Sequence, residues 1–216
     1  MNKILSFVKL DFITIKPYSS PAALLVVFIA IVLMFPLNST AAGMVMILAS
    51  IYATHPFLLG EKNSLDQLYS TLPISKRDII IGRYVFVLAL HIMGVIISYI
   101  FLFTQQTIIR QSANLQEILI TTLTLFFIFT FFQTIQIPIY FRLGYTKAKF
   151  IVYIPIIIFT ILLVLTAYFS IETLENIFLW ILTNQIITAI LGAIILIVAM
   201  FASYNISLHF YKKRAF

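Results

Sequence analysis

The side chains that could carry chemistry in this chain are few, mostly neutral, and set inside long apolar runs. Thr130, Gln133, Thr134 and Gln136 cluster within one such run, and the two glutamines, three residues apart, share a helical face. A buried amide in lipid must find a hydrogen-bond partner. The cluster is therefore predicted either to join neighbouring helices or to form a polar patch on a substrate path.

Catalytic and nucleotide-binding motifs are absent from the sequence. It contains no G-x-S-x-G elbow, no H-E-x-x-H pair and no G-x-x-x-x-G-K-[ST] phosphate loop. It has no cysteine, and its three histidines are scattered. No catalytic residue, metal site or cofactor is predicted, and any ATP used by this protein must be bound by another chain.

Composition places these residues in a membrane protein. Of the 216 residues, 62% are hydrophobic and 10% are charged, whereas soluble domains are roughly 45–50% apolar and about 25% charged. The length suits one compact helical domain with little left for a soluble module. We predict an all-α integral membrane fold, with residues 1–216 forming a single transmembrane domain.

Six apolar runs are long enough, at about 17–25 residues, to cross a bilayer as helices. These predicted spans are Pro21–Leu37, Ala41–Gly60, Tyr84–Thr104, Ile118–Tyr140, Phe150–Phe169 and Ile186–His209. The uncharged stretch before Lys212 is too long for one untilted span, and its most polar point is Thr183-Asn184-Gln185. Residues 174–182 are predicted to form either a short interfacial or re-entrant helix or part of one long tilted helix. Asn184 and Gln185 join Gln133 and Gln136 as candidate path-lining residues.

The first 16 residues are predicted to form an amphipathic helix in the membrane interface. One face carries Asn2, Lys3, Ser6 and Lys9, and Ile4, Leu5, Val8 and Phe12 lie largely on the other. The alternative is a plain extension of the first span.

The basic residues set the predicted orientation. The chain has 14 Lys and Arg against 7 Asp and Glu, a net charge of +7. They lie at the edges of apolar runs, which indicates topology rather than a nucleic-acid surface. With six spans and both termini in the cytoplasm, all the cations except Arg110 fall on the cytoplasmic side, namely Lys3, Lys9, Lys16, Lys62, Lys76, Arg77, Arg83, Arg142, Lys147, Lys149, Lys212, Lys213 and Arg214.

The longest predicted cytoplasmic loop, residues 61–83, has a clear internal pattern. Residues 64–67 (Ser-Leu-Asp-Gln) fit a capping box, and Leu65, Leu68, Tyr69 and Leu72 follow with helical spacing until Pro73. Residues 75–78 (Ser-Lys-Arg-Asp) fit a second capping box that starts the third span. A helix this short needs a partner surface, which is either the bilayer or a cytoplasmic protein.

This loop resembles that of bacterial ABC exporter permeases of the second type. The similarity rests on Glu61-Lys62, on the run from Leu68 to Arg77, and on Arg83-Tyr84, with departures from the family pattern at Thr71 and Lys76. The resemblance implies a coupling helix that sits in a cleft of a separate ATPase subunit, and two permease copies or paralogues with substrate passing between them. The docking residues it implies are Glu61, Leu65, Leu68, Tyr69, Leu72, Pro73 and Arg77.

Two functional hypotheses follow. The first is the non-enzymatic permease of an ATP-driven exporter in the bacterial plasma membrane. In size and style it is similar to small permeases that export amphipathic peptides or give self-protection, such as those of the staphylococcal phenol-soluble modulin exporters. The second is a membrane immunity or assembly protein that binds peptide or lipid without ATP. The loop at residues 61–83 favours the first hypothesis.

Overall fold

A computed structural model of the chain describes residues 3–16, 39–65, 68–69, 74–107, 113–154, 157–158, 160–161, 164–165, 179–180 and 183–213. Every element with assigned bounds within these residues is helical. In chain order they are α1 (Lys3–Ile15), α2 (Ser39–Lys62), α3 (Lys76–Gln105), α4 (Leu115–Leu143), α5 (Tyr145–Ala148), a 3₁₀ helix (Lys149–Tyr153) and α6 (Gln185–Lys213).

The four long helices α2, α3, α4 and α6 are long and apolar enough to cross a membrane. They confirm the second, third, fourth and sixth predicted spans. The first predicted span lies outside the described residues, and so does most of the fifth, although its described positions between Ile154 and Leu165 are helical. Residues 174–178 and 181–182 are also outside, so the re-entrant prediction stays a prediction.

The long helices form a bundle in which α3 and α4 contact each other and both contact α2 and α6. Lys62, Lys76 and Lys213 gather at one end, here called the basic end, while Asn114 and Gln185 lie at the opposite end. At the basic end an apolar cluster joins α1 to all four long helices, and a second cluster nearer the opposite end joins α2, α3 and α4.

Helix α1 packs along α3. Its inner face is formed by Phe7, Val8, Asp11 and Ile15, which are buried, whereas Leu5 is 61% exposed. The predicted helix is confirmed, but its buried face is rotated from the predicted apolar face. The reason is Asp11, whose carboxylate binds inside the protein and turns that side of the helix inward.

Capping side chains fix where two of the long helices begin. The Ser75 hydroxyl accepts a hydrogen bond from the Asp78 N–H at 3.1 Å, as the second capping box predicted. Asn114 caps α4 in the same way by accepting from the Glu117 N–H at 3.3 Å. Ser64 differs from the prediction, because its φ of 51° is left-handed and an N-cap residue is normally extended. It lies at the turn that ends α2.

The residues from Arg142 to Lys149, between the fourth and fifth predicted spans, are almost wholly helical. Helix α4 continues to Leu143, breaks at Gly144, and α5 and the 3₁₀ helix follow directly. Gly144 has φ 78°, a conformation that a residue without Cβ adopts at low cost. A Cβ there would also lie 2.9 Å from the Glu61 carboxylate, so the break and the close approach both require glycine.

Proline inside α4 is compensated by a neighbouring helix. Pro138 has no N–H, so the carbonyl of Thr134, four residues earlier, loses its helical donor. The Ser203 hydroxyl on α6 donates to that carbonyl instead. The helical hydrogen bond that α4 loses at Pro138 is thereby replaced by one between α4 and α6. A neighbouring side chain of this kind is one way in which backbone inside a membrane tolerates proline.

Candidate functional site

The first feature of the candidate site is a cleft at the basic end, where α2, α3 and α4 meet. Arg83 on α3 lines it together with the last turn of α2 and the end of α4, including Phe57, Gly60, Glu61, Tyr140 and Gly144. The Arg83 Nη1 donates to Asp11 Oδ1 of α1 at 2.7 Å. This buried ion pair ties the N-terminal helix to the wall of the cleft.

Aromatic rings complete the surroundings of Arg83. Its guanidinium lies 5.6 Å from the ring centre of Phe7 and 5.2 Å from that of Phe57, within the range of favourable cation–π contact. Burial raises the pKa of Asp11 to about 6, while the charge and the hydrogen bond of Arg83 oppose that rise. Burial therefore disfavours the carboxylate, and Arg83 is the main group that holds it in its ionised form.

Glu61, predicted to lie in the docking loop, is the last acidic residue of α2 and reaches across to α5. Its carboxylate accepts from the Thr146 N–H at 2.9 Å and also from the Thr146 hydroxyl. We call this contact the Glu61–Thr146 clasp. It fixes the end of α2 to the segment that follows α4.

The predicted docking helix is anchored on one side and exposed on another. Tyr69 is buried, with its ring centre 4.9 Å from that of Phe7 on α1, and Leu65 packs against the basic-end cluster. Leu68 is 53% exposed, and Arg77 is exposed in the first turn of α3. Leu72 and Pro73 lie outside the described residues. Leu65 and Tyr69 of this segment therefore already pack inside the protein, whereas Leu68 is exposed.

The second feature is a row of polar side chains in the interior of the bundle. His91 on α3 contacts Thr130 on α4 at 2.9 Å and Ser50 on α2 at 3.3 Å, joining three helices. Gln136 donates to the Ile151 carbonyl at 2.9 Å. Gln133 is fully buried, and neither end of its amide has a hydrogen-bond partner among the described residues.

Asn184 and Gln185 lie together at the opposite end, where the chain bends before α6. The side-chain amide of Asn184 donates to the Trp180 carbonyl of its own chain segment at 3.1 Å. Gln185 Oε1 accepts from Gln116 Nε2 at 2.7 Å, which joins the starts of α4 and α6. The structure therefore separates these two candidates from Gln133 and Gln136 by much of the bundle's length.

Sequence reasoning missed the Asp11–Arg83 pair and the Glu61–Thr146 clasp. Arg83 was used only as a cation that sets orientation and as part of the family resemblance, and not as the partner of Asp11. A signal for the pair was present, since a single carboxylate interrupts an otherwise apolar and basic N-terminal helix. No comparable signal pointed to Thr146, because its position depends on the break at Gly144.

Comparison with protein families decides the broader identity. A family model described as ABC-2 family transporter protein matches residues 6–212. The chain belongs to this family. The match covers all the long helices and the basic-end cleft, so the ABC-2 permease is a membrane component of an ABC transporter, and the family implies an ABC ATPase partner.

Neither the curated proteins nor the solved structures gave a match to this permease. Within the described part of the chain, no group of three or more His, Cys, Asp or Glu residues is arranged to hold a metal ion.

Proposed function

We propose that this ABC-2 permease exports amphipathic peptides or other amphiphilic cargo from bacteria, as a dimer of copies or paralogues driven by a separate ATPase. Family membership favours this function over the ATP-independent immunity or assembly protein. A chain without a phosphate loop needs an ATPase subunit to supply the energy. An apolar bundle interior with a few neutral polar groups suits cargo that is itself amphiphilic.

The basic end is proposed to face the cytoplasm. It carries the lysines at the ends of α2 and α6 and at the start of α3, whereas the described opposite end carries neutral amides and Glu117. Such an asymmetry in Lys and Arg follows the positive-inside rule. Helix α1, with Leu5 and Ile13 exposed beside Lys9, would lie in the cytoplasmic interface of the plasma membrane.

The observation that carries the proposed docking site is the anchoring of the segment that contains Leu65, Leu68 and Tyr69. Tyr69 and Leu65 hold it on the bundle, while the Leu68 side chain is 53% exposed. A rigidly held segment with one outward apolar side chain can insert into a cleft of a partner and transmit its movement. Through α1 and the Glu61–Thr146 clasp, that movement would reach α3 and α4.

Replacing Leu68 by Asp tests the docking site. We expect the variant to insert normally but to lose copurification with the ATPase, since a charge replaces the apolar contact. Leu143→Asp is the matched control, because Leu143 is 44% exposed at the same end of the bundle but outside the segment. Unchanged copurification of the Leu68 variant would show that the ATPase docks elsewhere.

The proposed cargo path is tested at the glutamines of α4. Gln133 and Gln136 are buried inside one chain, so they would line a path only after α4 moves relative to α2 and α3. If they line it, the double change Gln133→Leu and Gln136→Leu should leave the assembly intact but alter cargo-stimulated ATPase activity. A destabilised complex with a normal response to cargo would instead assign them to helix packing.

A further inference from the structure

One face of α4 carries polar groups along the interface with α2 and α3. Positions 130, 133, 137 and 140 share this face by their spacing. Thr130 contacts His91 of α3, and the Tyr140 ring centre lies 5.1 Å from that of Phe57 of α2. Gln133, between them, therefore lies in this interface, which we call the α2–α3–α4 seam.

Several polar atoms in and beside the seam have no hydrogen-bond partner among the described residues. They are both ends of the Gln133 amide, the Tyr140 hydroxyl, and Oδ2 of Asp11 at the basic-end cleft. The three residues are almost completely buried. In folded proteins such groups are nearly always bonded to protein or to ordered water, because leaving them bare costs the full loss of hydration.

The chemistry of these atoms narrows the choice of ligand. The Gln133 amide requires a donor for its oxygen and an acceptor for its nitrogen, and the Tyr140 hydroxyl can take either role. A ligand for all of them must therefore both donate and accept. It must also be very small, since Gln133 has no exposed surface. Water meets both requirements, whereas cargo, lipid and ions do not.

The cleft at the basic end adjoins the seam at Tyr140. Tyr140 lines that cleft together with Arg83 and Glu61, so its polar walls lie beside the seam. Tyr140 and Gln133 are seven residues apart on α4, or about 10 Å along the helix. Only a few water molecules would span that distance.

We propose that the α2–α3–α4 seam is a water-binding site, in which internal water reaches Gln133 from the basic-end cleft past Tyr140. Hydrogen bonds to water exchange readily, so a hydrated seam lets α4 shift against α2 and α3 without stranding polar groups. The inference concerns the interior of one chain. A water site there does not depend on the proposed cargo or on the proposed ATPase-docking site.

Cysteine reactivity tests the proposal, because the chain has no cysteine of its own. Gln133→Cys and Tyr140→Cys would be purified in lipid nanodiscs and treated with methanethiosulfonate ethylammonium, which modifies thiolates that form where water is present. Leu125→Cys is the control, since Leu125 is buried on the same helix in an apolar cluster. Monodisperse elution establishes that each variant is folded.

We expect Gln133→Cys and Tyr140→Cys to react at least tenfold faster than Leu125→Cys. Equal rates at all three positions would overturn the proposal. Fast reaction at Tyr140→Cys alone would also overturn it, because water would then be confined to the cleft. As a second measurement, Gln133→Leu should lower the melting temperature if the amide holds water, and a raised melting temperature would show a dry, unbonded amide.

Discussion

The carboxylate of Asp11 and the guanidinium of Arg83 show how one pair of charges can organise the basic end. Both side chains are buried, and their contact of 2.7 Å joins α1 to α3. Burial disfavours each charge, and each charge offsets part of that cost for the other. Removing one partner should therefore be much worse than removing both.

We predict that Arg83→Met lowers the free energy of unfolding by roughly 3–5 kcal/mol, the usual cost of stranding one buried charge. The double variant Asp11→Asn and Arg83→Met should recover most of that loss. Thermal unfolding of the purified permease in one detergent measures both variants. Equal losses in the single and double variants would mean that the pair is not desolvated in the membrane.

Asp11 also gives the wild-type protein a pH dependence of known sign. Its pKa is raised by burial from 3.8 to about 6, so the folded state binds this proton more tightly than the unfolded state. The group's contribution to stability therefore falls as pH rises from about 4 to about 6, and is constant above that. Asp11→Asn should remove this fall in stability, which is measured by thermal unfolding across the same pH range. If the Asp11→Asn variant showed the same pH dependence as the wild type, other groups would be responsible for it.

The hydroxyl of Ser203 compensates for Pro138, which makes a second pair of residues testable. Ser203→Ala should destabilise the permease by about 1 kcal/mol, because the Thr134 carbonyl loses its donor. In a Pro138→Ala background the loss should shrink, since alanine at that position restores a helical N–H. Ser207→Ala is the control, as Ser207 contacts Tyr84 at 3.0 Å but not this carbonyl. Equal losses in both backgrounds would contradict the compensation.

At the scale of elements, the Glu61–Thr146 clasp joins the end of α2 to α5. Glu61→Gln keeps one oxygen acceptor but loses the charge, so the bonds to Thr146 should weaken. We expect trypsin to cleave after Lys147 several-fold faster, because α5 is released from α2. Lys62→Gln is the neighbouring control. Mass spectrometry identifies the cleavage site, and unchanged cleavage would show that α5 is held by other contacts.

Helices were predicted well where the residues that define them lie within a few positions of one another in the sequence. The Ser75 cap was read correctly because the cap and its target are three positions apart, and four of the six apolar runs appear as membrane-length helices. The helical course of Arg142–Lys149 was missed, because the break is reduced to a single glycine that closes on Glu61. The Glu61–Thr146 hydrogen bond beside this break joins residues 85 positions apart, which no local pattern contains.

In the candidate site, too, local sequence patterns were recognised and contacts between distant residues were not. The polar cluster on α4 was found from sequence because unusual residues in an apolar run are visible there. Their partners were not found, since His91 and Ile151 approach only through packing of helices. The rotated face of α1 has the same origin, because Asp11 turns inward only when Arg83 is present to meet it.

At the scale of the whole molecule, orientation in the membrane follows from the asymmetry between the two ends of the bundle. We predict that Leu115→Cys is labelled by an impermeant maleimide in intact cells and that Lys213→Cys is labelled only after the membrane is opened. Both positions are exposed, at opposite ends of the bundle. Labelling of both in intact cells, or of neither, would contradict an arrangement with the basic end in the cytoplasm.

The ion pair between α1 and α3 also sets an order of events during biosynthesis. Asp11 leaves the ribosome 72 residues before Arg83, an interval of about 4–14 s at ordinary rates of synthesis. During that time its carboxylate has no buried partner and must remain hydrated at the membrane surface. Helix α1 can form this contact only once α3 has been made, so α1 is synthesised before α3 but docks after it.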